Sequence, residues 1–424
     1  MRGPSMWNGY LVFVVVLLVG QWALSLVVEW MNVRHCKSDI PSQFKGVYDA
    51  EKYAKSQRYL RARTLFGEVH STIMLPLTLT FIIGEGFAWV NSIAESVSDS
   101  LIGRGLVFGG ILMAISTLVG IPAGVYSTFV IEAKYGFNKT TPLTYVLDTV
   151  KGLVLTVLLG GPIFALIIKI FDSVDYAWLY AFGALSVIQV VLMYLAPVLI
   201  LPMFNSFTPL PEGELRTRIE ALASSQQYGI SGIYVIDGSK RSTKSNAYFT
   251  GLGHTKRIAL YDTLIDKHSV DEVVAILAHE IGHCKLGHIR KGIAMSMGSS
   301  LMMLYFLSQC TEREGMYQAF GVEGTPLYCG LVLFGFLYAP IGMLLGPLSS
   351  WVSRRHEYQA DAYAAQATGA PLDLASGLKR LSVDSLANLT PHPLKVWLEY
   401  SHPPVLQRIS ALEAISQQDT RKTQ

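Results

Sequence analysis

Seven apolar stretches constrain the fold of this chain more than any other feature. They cover residues 10–29, 73–90, 106–131, 150–170, 178–201, 293–307 and 327–348. Each reads as a membrane-spanning helix. The sixth is the shortest and is rich in Ser, Met and Gly. The first is long for the apolar core of a signal peptide and lacks a small-residue cleavage site, so it reads as a retained span. Composition agrees: 51% of the residues are hydrophobic and 15% charged, against about a quarter charged in soluble domains. The fold class is therefore α-helical integral membrane.

Charge placement orients the spans. Residues 31–65 hold eight Lys/Arg, residues 204–290 hold ten, and the tail after Trp351 holds eight. The alternate loops carry little beyond Arg2, Arg104, Arg313 and Lys169. By the positive-inside rule the rich face is cytosolic and the N-terminus lies opposite. Glu68, His70 and Glu85 accompany the second span and fit either a protein-lined cavity or an interface. Lys151 and Lys169 flank the fourth and read as snorkelling side chains. The net charge of +3, with no basic-aromatic patch, excludes a nucleic-acid partner. Cys36, Cys284, Cys310 and Cys329 are scattered and indicate neither a disulfide framework nor a thiolate zinc site. Two glycosylation sequons, at Asn138 and Asn388, fall on the cytosolic side and read as accidental.

His279-Glu280-Ile281-Gly282-His283 is an H-E-x-x-H pentad. Residues four apart share a helix face, so both imidazoles can reach one ion. Zn²⁺ accepts such nitrogens and tolerates an open fourth position. Glu280 is placed to take a proton from a water there. Ser269-Val270-Asp271-Glu272 matches a capping box, and Val273, Ile276, Leu277 and Ile281 follow at helical spacing. The pentad is thus predicted on a helix. Upstream, Pro211 and residues 212–223 read as an amphipathic helix. Residues 233–236, 247–250 and 257–261 read as strands, the last two joined by a Gly-rich turn at 251–253. An edge strand beside a zinc site can hold a peptide extended; a plain structural hairpin has the same pattern.

Two histidines leave a catalytic zinc one protein ligand short. Glu357 is the candidate, because the two spans between it and the pentad return the chain to the same face. Arg355 and the residues after it are expected to open a helix on which Glu357 and Asp361, four apart, share a face. Asp361 would hold the second nitrogen of a ligand histidine. A solvated helix face would show the same spacing. His356 lies about 100° round the helix from Glu357 and is not expected to be a ligand. His402, before two prolines, suits either an oxyanion contact or a helix entry at residues 405–415.

These motifs together resemble the type I CAAX prenyl endopeptidases, integral-membrane zinc metalloproteases of the endoplasmic reticulum and inner nuclear membrane. The likeness covers nearly the whole chain. It includes Tyr135–Lys139, Phe204–Leu210, Gly238–Ser242, Ser245–Phe249, Leu277–His283, Glu357–Asp361 and Ser401–Pro404. The resemblance implies one zinc per chain on His279, His283 and Glu357, Glu280 as general base, and a catalytic or supporting role for Asp361. It implies a substrate site at Asn246, Ala247, Tyr248 and Phe249, with His402 beside it. It also implies seven long helices around a large water-filled chamber, with the zinc domain at its cytosolic end. Lys244 stands where the family usually has His, and Cys284 where it often has Trp.

The expected organisation is residues 1–203 as spans one to five, 204–291 as the cytosolic metalloprotease part, 292–350 as spans six and seven, and 351–424 as the cytosolic part with the third ligand. The expected function is removal of the last three residues from prenylated CAAX proteins, with membrane lipid as the other partner. A membrane quality-control protease would share such a site. A transporter or channel with structural zinc is the rival from another class, but no internal repeat appears and a structural site has no use for Glu280.

Overall fold

The computed structural model describes residues 8–250 and 256–422. Seven helices in it are long and apolar enough to cross a membrane. The first is α1 (Gly9–His35), which Asn8 caps by accepting from Tyr10 N and Leu11 N. The second is α2 (Ala50–Ile83). A short helix α3 (Gly86–Val97) follows it. Next come α4 (Leu101–Tyr126), α5 (Pro142–Leu155), α6 (Gly161–Ser173), α7 (Ala177–Leu195) and α8 (Leu201–Phe204). Three π-helical segments join these last into continuous rods: Ser127–Glu132 extends α4, Thr156–Gly160 links α5 to α6, and Ala196–Ile200 links α7 to α8. Pro162 and Pro202 follow two of them, where a missing N–H breaks the regular ladder. Large apolar side chains on the rods face outward, among them Leu118, Leu158, Val187 and Leu199. Apolar surface on this scale marks a lipid-facing wall.

The second span departs from its expected bounds of 73–90. Helix α2 begins at Ala50 and stops at Gly84, and Glu85 takes a left-handed conformation (φ 58°) before α3 starts. Gly84 and Gly86 flank a bend that the apolar run conceals, and Glu85 is exposed on it. Lys151, expected to snorkel, donates instead to the Met203 carbonyl at 2.7 Å.

The peptidase half contains β1 (Phe207–Pro209), α9 (Glu214–Ser225), β2 (Gly232–Ile236), β3 (Ala247–Thr250), β4 (Arg257–Tyr261), α10 (Asp262–Lys267) and α11 (Val270–Lys285). The strands form one sheet in the order β1-β2-β4-β3. The β2–β4 pair is parallel, and β3 runs antiparallel to β4, with Ala247 opposite Leu260 and Phe249 opposite Ile258. This makes β3 an edge strand, with one ladder side unpaired among the described residues. The Gly-rich turn at 251–253 lies outside the described residues.

After α11 come α12 (His288–Cys310), α13 (Glu314–Gln318), α14 (Leu327–Thr368), α15 (Pro371–Asp384), α16 (Pro393–Glu399) and α17 (Val405–Lys422). Here the structure corrects the expectation that a new helix opens near Arg355. The seventh span runs through that point without a break, as one 42-residue helix. Glu357 and Asp361 are therefore held on the rigid continuation of a spanning helix. Ile219, Ile258, Leu260, Leu277, Ile281, Ile409 and Leu412 are fully buried in one core shared by the sheet, α9, α11 and α17.

Polar bonds tie this half to the spans. Arg241 donates twice to Asp148, at 2.8 and 3.0 Å, and once to Asn205 at 2.9 Å. Lys244 Nζ lies 2.9 Å from Glu132 and 3.0 Å from the Tyr59 hydroxyl, and 4.3 Å over the Phe137 ring. The lysine is thus engaged by α2 and the end of the α4 rod.

Because spans six and seven separate the two parts of the peptidase half, single cysteines at Lys240 and Gln417 are expected to label from one side of sealed vesicles. A cysteine at Glu323 is expected to label from the other. An impermeant maleimide reads this above the background of the four native cysteines. Labelling of Lys240 and Gln417 from opposite sides contradicts the seven-span fold.

Candidate metal centre

The pentad helix begins with its capping box formed: Ser269 Oγ accepts from Glu272 N at 3.2 Å, and Glu272 Oε2 accepts from Ser269 N at 3.0 Å. Val273, Leu277 and Ile281 bury one face. Gly282 explains how close α14 can come. A Cβ there would lie 3.3 Å from Ala360 Cα and 3.1 Å from the Tyr363 ring. A side chain at this position would make α14 yield by a few tenths of an ångström, one turn from Glu357.

His279, His283 and Glu357 converge, each offering one ligand atom within 4.8 Å of the others. His279 Nε2 is 3.1 Å from His283 Nε2. Glu357 Oε2 is 3.5 Å from His279 Nε2, and Glu357 Oε1 is 3.2 Å from His283 Nε2. Tetrahedral zinc with bonds of about 2.0–2.1 Å separates its ligand atoms by about 3.3 Å. The three separations, two of them taken from different oxygens of Glu357, lie close to that spacing.

The outer nitrogens decide what the inner ones present. His279 Nδ1 lies 2.8 Å from Asp361 Oδ1, and an ionised carboxylate can only accept, so Nδ1 carries the proton. Nε2 then turns a lone pair inward. On the other ring, His283 Nδ1 is 3.0 Å from His288 Nδ1, and His288 Nε2 is 2.9 Å from Gln359 Oε1. Gln359 Oε1 accepts, so His288 donates there with Nε2 and accepts from His283 with Nδ1. His283 Nε2 is left with a lone pair as well. Two lone pairs facing each other at 3.1 Å beside a carboxylate call for a shared cation, either a proton or a metal ion. Glu357 Oε2 is buried and faces the same point, with Arg408 Nη1 3.1 Å away as its counter-charge. Burial pulls the His279 imidazole down, but hydrogen bonds to Asp361 and Glu357 outweigh it and push it up to about 9. The residues present thus fit a zinc ion.

Arg408 is the group the sequence did not disclose. From α17 it donates to both oxygens of Asp361, at 2.6 and 2.8 Å, and Nη1 lies 3.1 Å from Glu357 Oε2. Arg408 is 7% exposed and Asp361 1%. The available signal was its position: three residues after Val405 and four before Leu412, it falls on the apolar side of its helix. His288 was also missed. It follows the left-handed Gly287, outside the pentad helix, and stacks on His356 at 4.0 Å.

Glu280 lies beside the ligands. Burial pushes its carboxyl above the usual range, and the His279 and His283 imidazoles draw it part of the way back. His402 is exposed, with Nε2 3.5 Å from Glu357 Oε1 and Nδ1 2.9 Å from Ser401 Oγ. Of the four expected substrate residues, Tyr248 and Phe249 line a cavity with Glu280 and His283. Asn246 and Ala247 do not line it. Asn246 folds its side chain back to accept from Ala247 N at 2.9 Å. Cys284 accepts from the Tyr228 hydroxyl at 3.3 Å and is not in the ligand triangle.

Comparison with known proteins covers both halves. Residues 29–206 match the family model described as CAAX prenyl protease N-terminal, five membrane helices, and residues 209–416 match peptidase family M48. The CAAX prenyl protease 1 of Saccharomyces cerevisiae is 37% identical, over 90% of each chain. The CAAX prenyl protease 1 homolog of Homo sapiens is 32% identical, over 93% of each. The crystal structure of S. mikatae Ste24p superposes with a TM-score of 0.91 at 34% identity, covering 97% of this chain and 100% of that one.

Proposed function

Since this chain belongs to the CAAX prenyl protease 1 family of M48 peptidases, we propose that it is a zinc endopeptidase acting on isoprenylated protein C-termini. It removes the three residues after a prenylated Cys, at a site facing the cytosol in the endoplasmic reticulum membrane. The observation that carries the metal-dependent chemistry is the convergence of His279, His283 and Glu357 on one point. Prenyl specificity rests on the family. The membrane setting agrees, because a lipidated tail partitions to the bilayer at about 0.8 kcal/mol per buried CH₂.

His279, His283 and Glu357 would hold one zinc per chain, and a bound zinc would supply acidification of water and polarisation of the scissile carbonyl. Glu280 takes a proton from the attacking water and delivers it to the leaving amine. Its raised affinity for protons suits both transfers. The free side of β3 pairs with the substrate main chain, as an edge strand can. His402, exposed beside Glu357, donates toward the oxygen on which charge develops. Asp361 and Arg408 keep His279 in the tautomer that faces the metal.

The test compares kcat/KM for farnesylated and unmodified forms of one tail peptide, with and without chelator. The expected result is chelator-sensitive cleavage directly after the modified Cys, with strong preference for the prenylated form. Equal values, with efficient cleavage of unrelated unfolded membrane proteins, would make this a quality-control protease instead.

A further inference from the structure

A cavity of about 760 Å³ opens on Glu280 and His283 and continues between α12 and α14. Its walls are apolar through Ile289, Met295, Leu345, Leu348 and Val352. It extends as far as Tyr338, about 28 Å of helix from Glu357. Its width comes from small residues at helical spacing: Gly292, Ser296 and Ser299 on α12, and Gly342, Gly346 and Ser349 on α14. At Gly292, Gly342 and Gly346 a Cβ would meet no atom within 4 Å. These glycines are therefore not needed for close helix contact, although glycine weakens a helix interior. What they leave is room.

Substrate chemistry decides what fills that room. In a cut directly after the modified Cys, the attacked carbonyl belongs to the residue that carries the lipid. The isoprenoid must start within a side chain's length of Glu280. A second cavity also reaches the site, at His402, but it is about 380 Å³, half the size, and its walls mix Pro403, Pro404 and Val405 with Asn388, Glu399 and Ser401. It offers less room for a hydrocarbon chain, which would also strip water from Glu399 and Asn388 without giving them partners. We propose that the cavity between α12 and α14 is the isoprenoid site, and that Gly346 and Gly342 set the chain length it accepts. The inference rests on the substrate reading above and adds where the lipid lies. Gly346 sits three turns before Glu357 on α14, about 16 Å along the helix, and Gly342 one turn deeper. A geranylgeranyl chain is one isoprene unit longer than a farnesyl chain, so it reaches further toward Gly342.

The experiment uses the purified full chain on farnesylated, geranylgeranylated and unmodified versions of one peptide. Gly346→Leu and Gly342→Leu both place a side chain in open space, so both variants should fold. Gly346→Leu is expected to lower kcat/KM for the farnesylated peptide at least about tenfold, the scale at which an apolar pocket discriminates, with the unmodified peptide nearly unaffected. Gly342→Leu is expected to penalise the geranylgeranylated peptide more than the farnesylated one. An equal loss on the unmodified peptide, or an unchanged rate on the farnesylated one in Gly346→Leu, overturns the proposal. A wild-type enzyme that ignores prenylation overturns the substrate reading itself. A wild-type preference that survives Gly346→Leu overturns only the placement of the lipid.

Discussion

Glu280→Gln is expected to keep one zinc per chain and to lose about 10²–10⁴-fold in kcat, the usual contribution of a positioned general base. The amide keeps the shape of the carboxyl and removes only its capacity to accept and return a proton. Because Glu280 lies outside the triangle of His279, His283 and Glu357, metal content should not move. His279→Ala and His283→Ala are expected to lose metal and activity together, since each removes one of the two facing nitrogens. Metal analysis beside single-turnover cleavage separates the two classes. An active Glu280→Gln enzyme would remove Glu280 from the mechanism. Zinc loss in Glu280→Gln would mean that the carboxylate helps to hold the ion.

The pentad helix was legible because everything that positions it is local: the capping box, the apolar spacing and the i, i+4 histidines all lie between Ser269 and Lys285. Strands β3 and β4 were legible for the same reason, each a short apolar run between turn residues. Elements whose ends depend on tertiary packing were not. The bend at Gly84–Gly86 hid inside an apolar run, because hydropathy reports the solvent and not the helix axis. The continuity of α14 past Trp351 hid because charge resumes there while the helix does not stop. The sequence placed the pentad and Glu357 on one membrane face by counting crossings. It could not show which groups lean on the rings from outside. Arg408 is 47 residues from Asp361, and only its place on an apolar face hinted that it needs a buried partner. His288 follows a glycine turn, and no spacing rule links it to His283. The lipid cavity depends on small residues of two helices facing each other, a relation that neither helix carries alone.

The outer support of the metal centre leads to the second large effect. Glu357→Ala is expected to abolish zinc binding and activity, because it removes the only carboxylate among the three described ligand candidates. Asp361→Asn should keep the fold and reduce metal affinity or activity by about 10–100-fold, as loss of an outer partner of a ligand histidine does. Arg408 makes the test sharper. Its bidentate bond to Asp361 is buried on both sides. Removing one member of a buried ion pair costs about 3–5 kcal/mol, because the other charge is stranded, whereas replacing both is much milder. Arg408→Met alone should therefore lower thermal stability more than the double variant with Asp361→Asn. Arg408→Lys should not rescue it fully, since a lysine cannot span both oxygens. Zinc affinity should respond differently. The double variant regains stability but not affinity, because nothing then holds His279 Nδ1 as an ionised Asp361 does. Chelator competition and thermal unfolding of the same four proteins read the two quantities separately. Additive stability losses would deny the coupling. Wild-type zinc affinity in the double variant would show that His279 does not depend on Asp361 for its orientation.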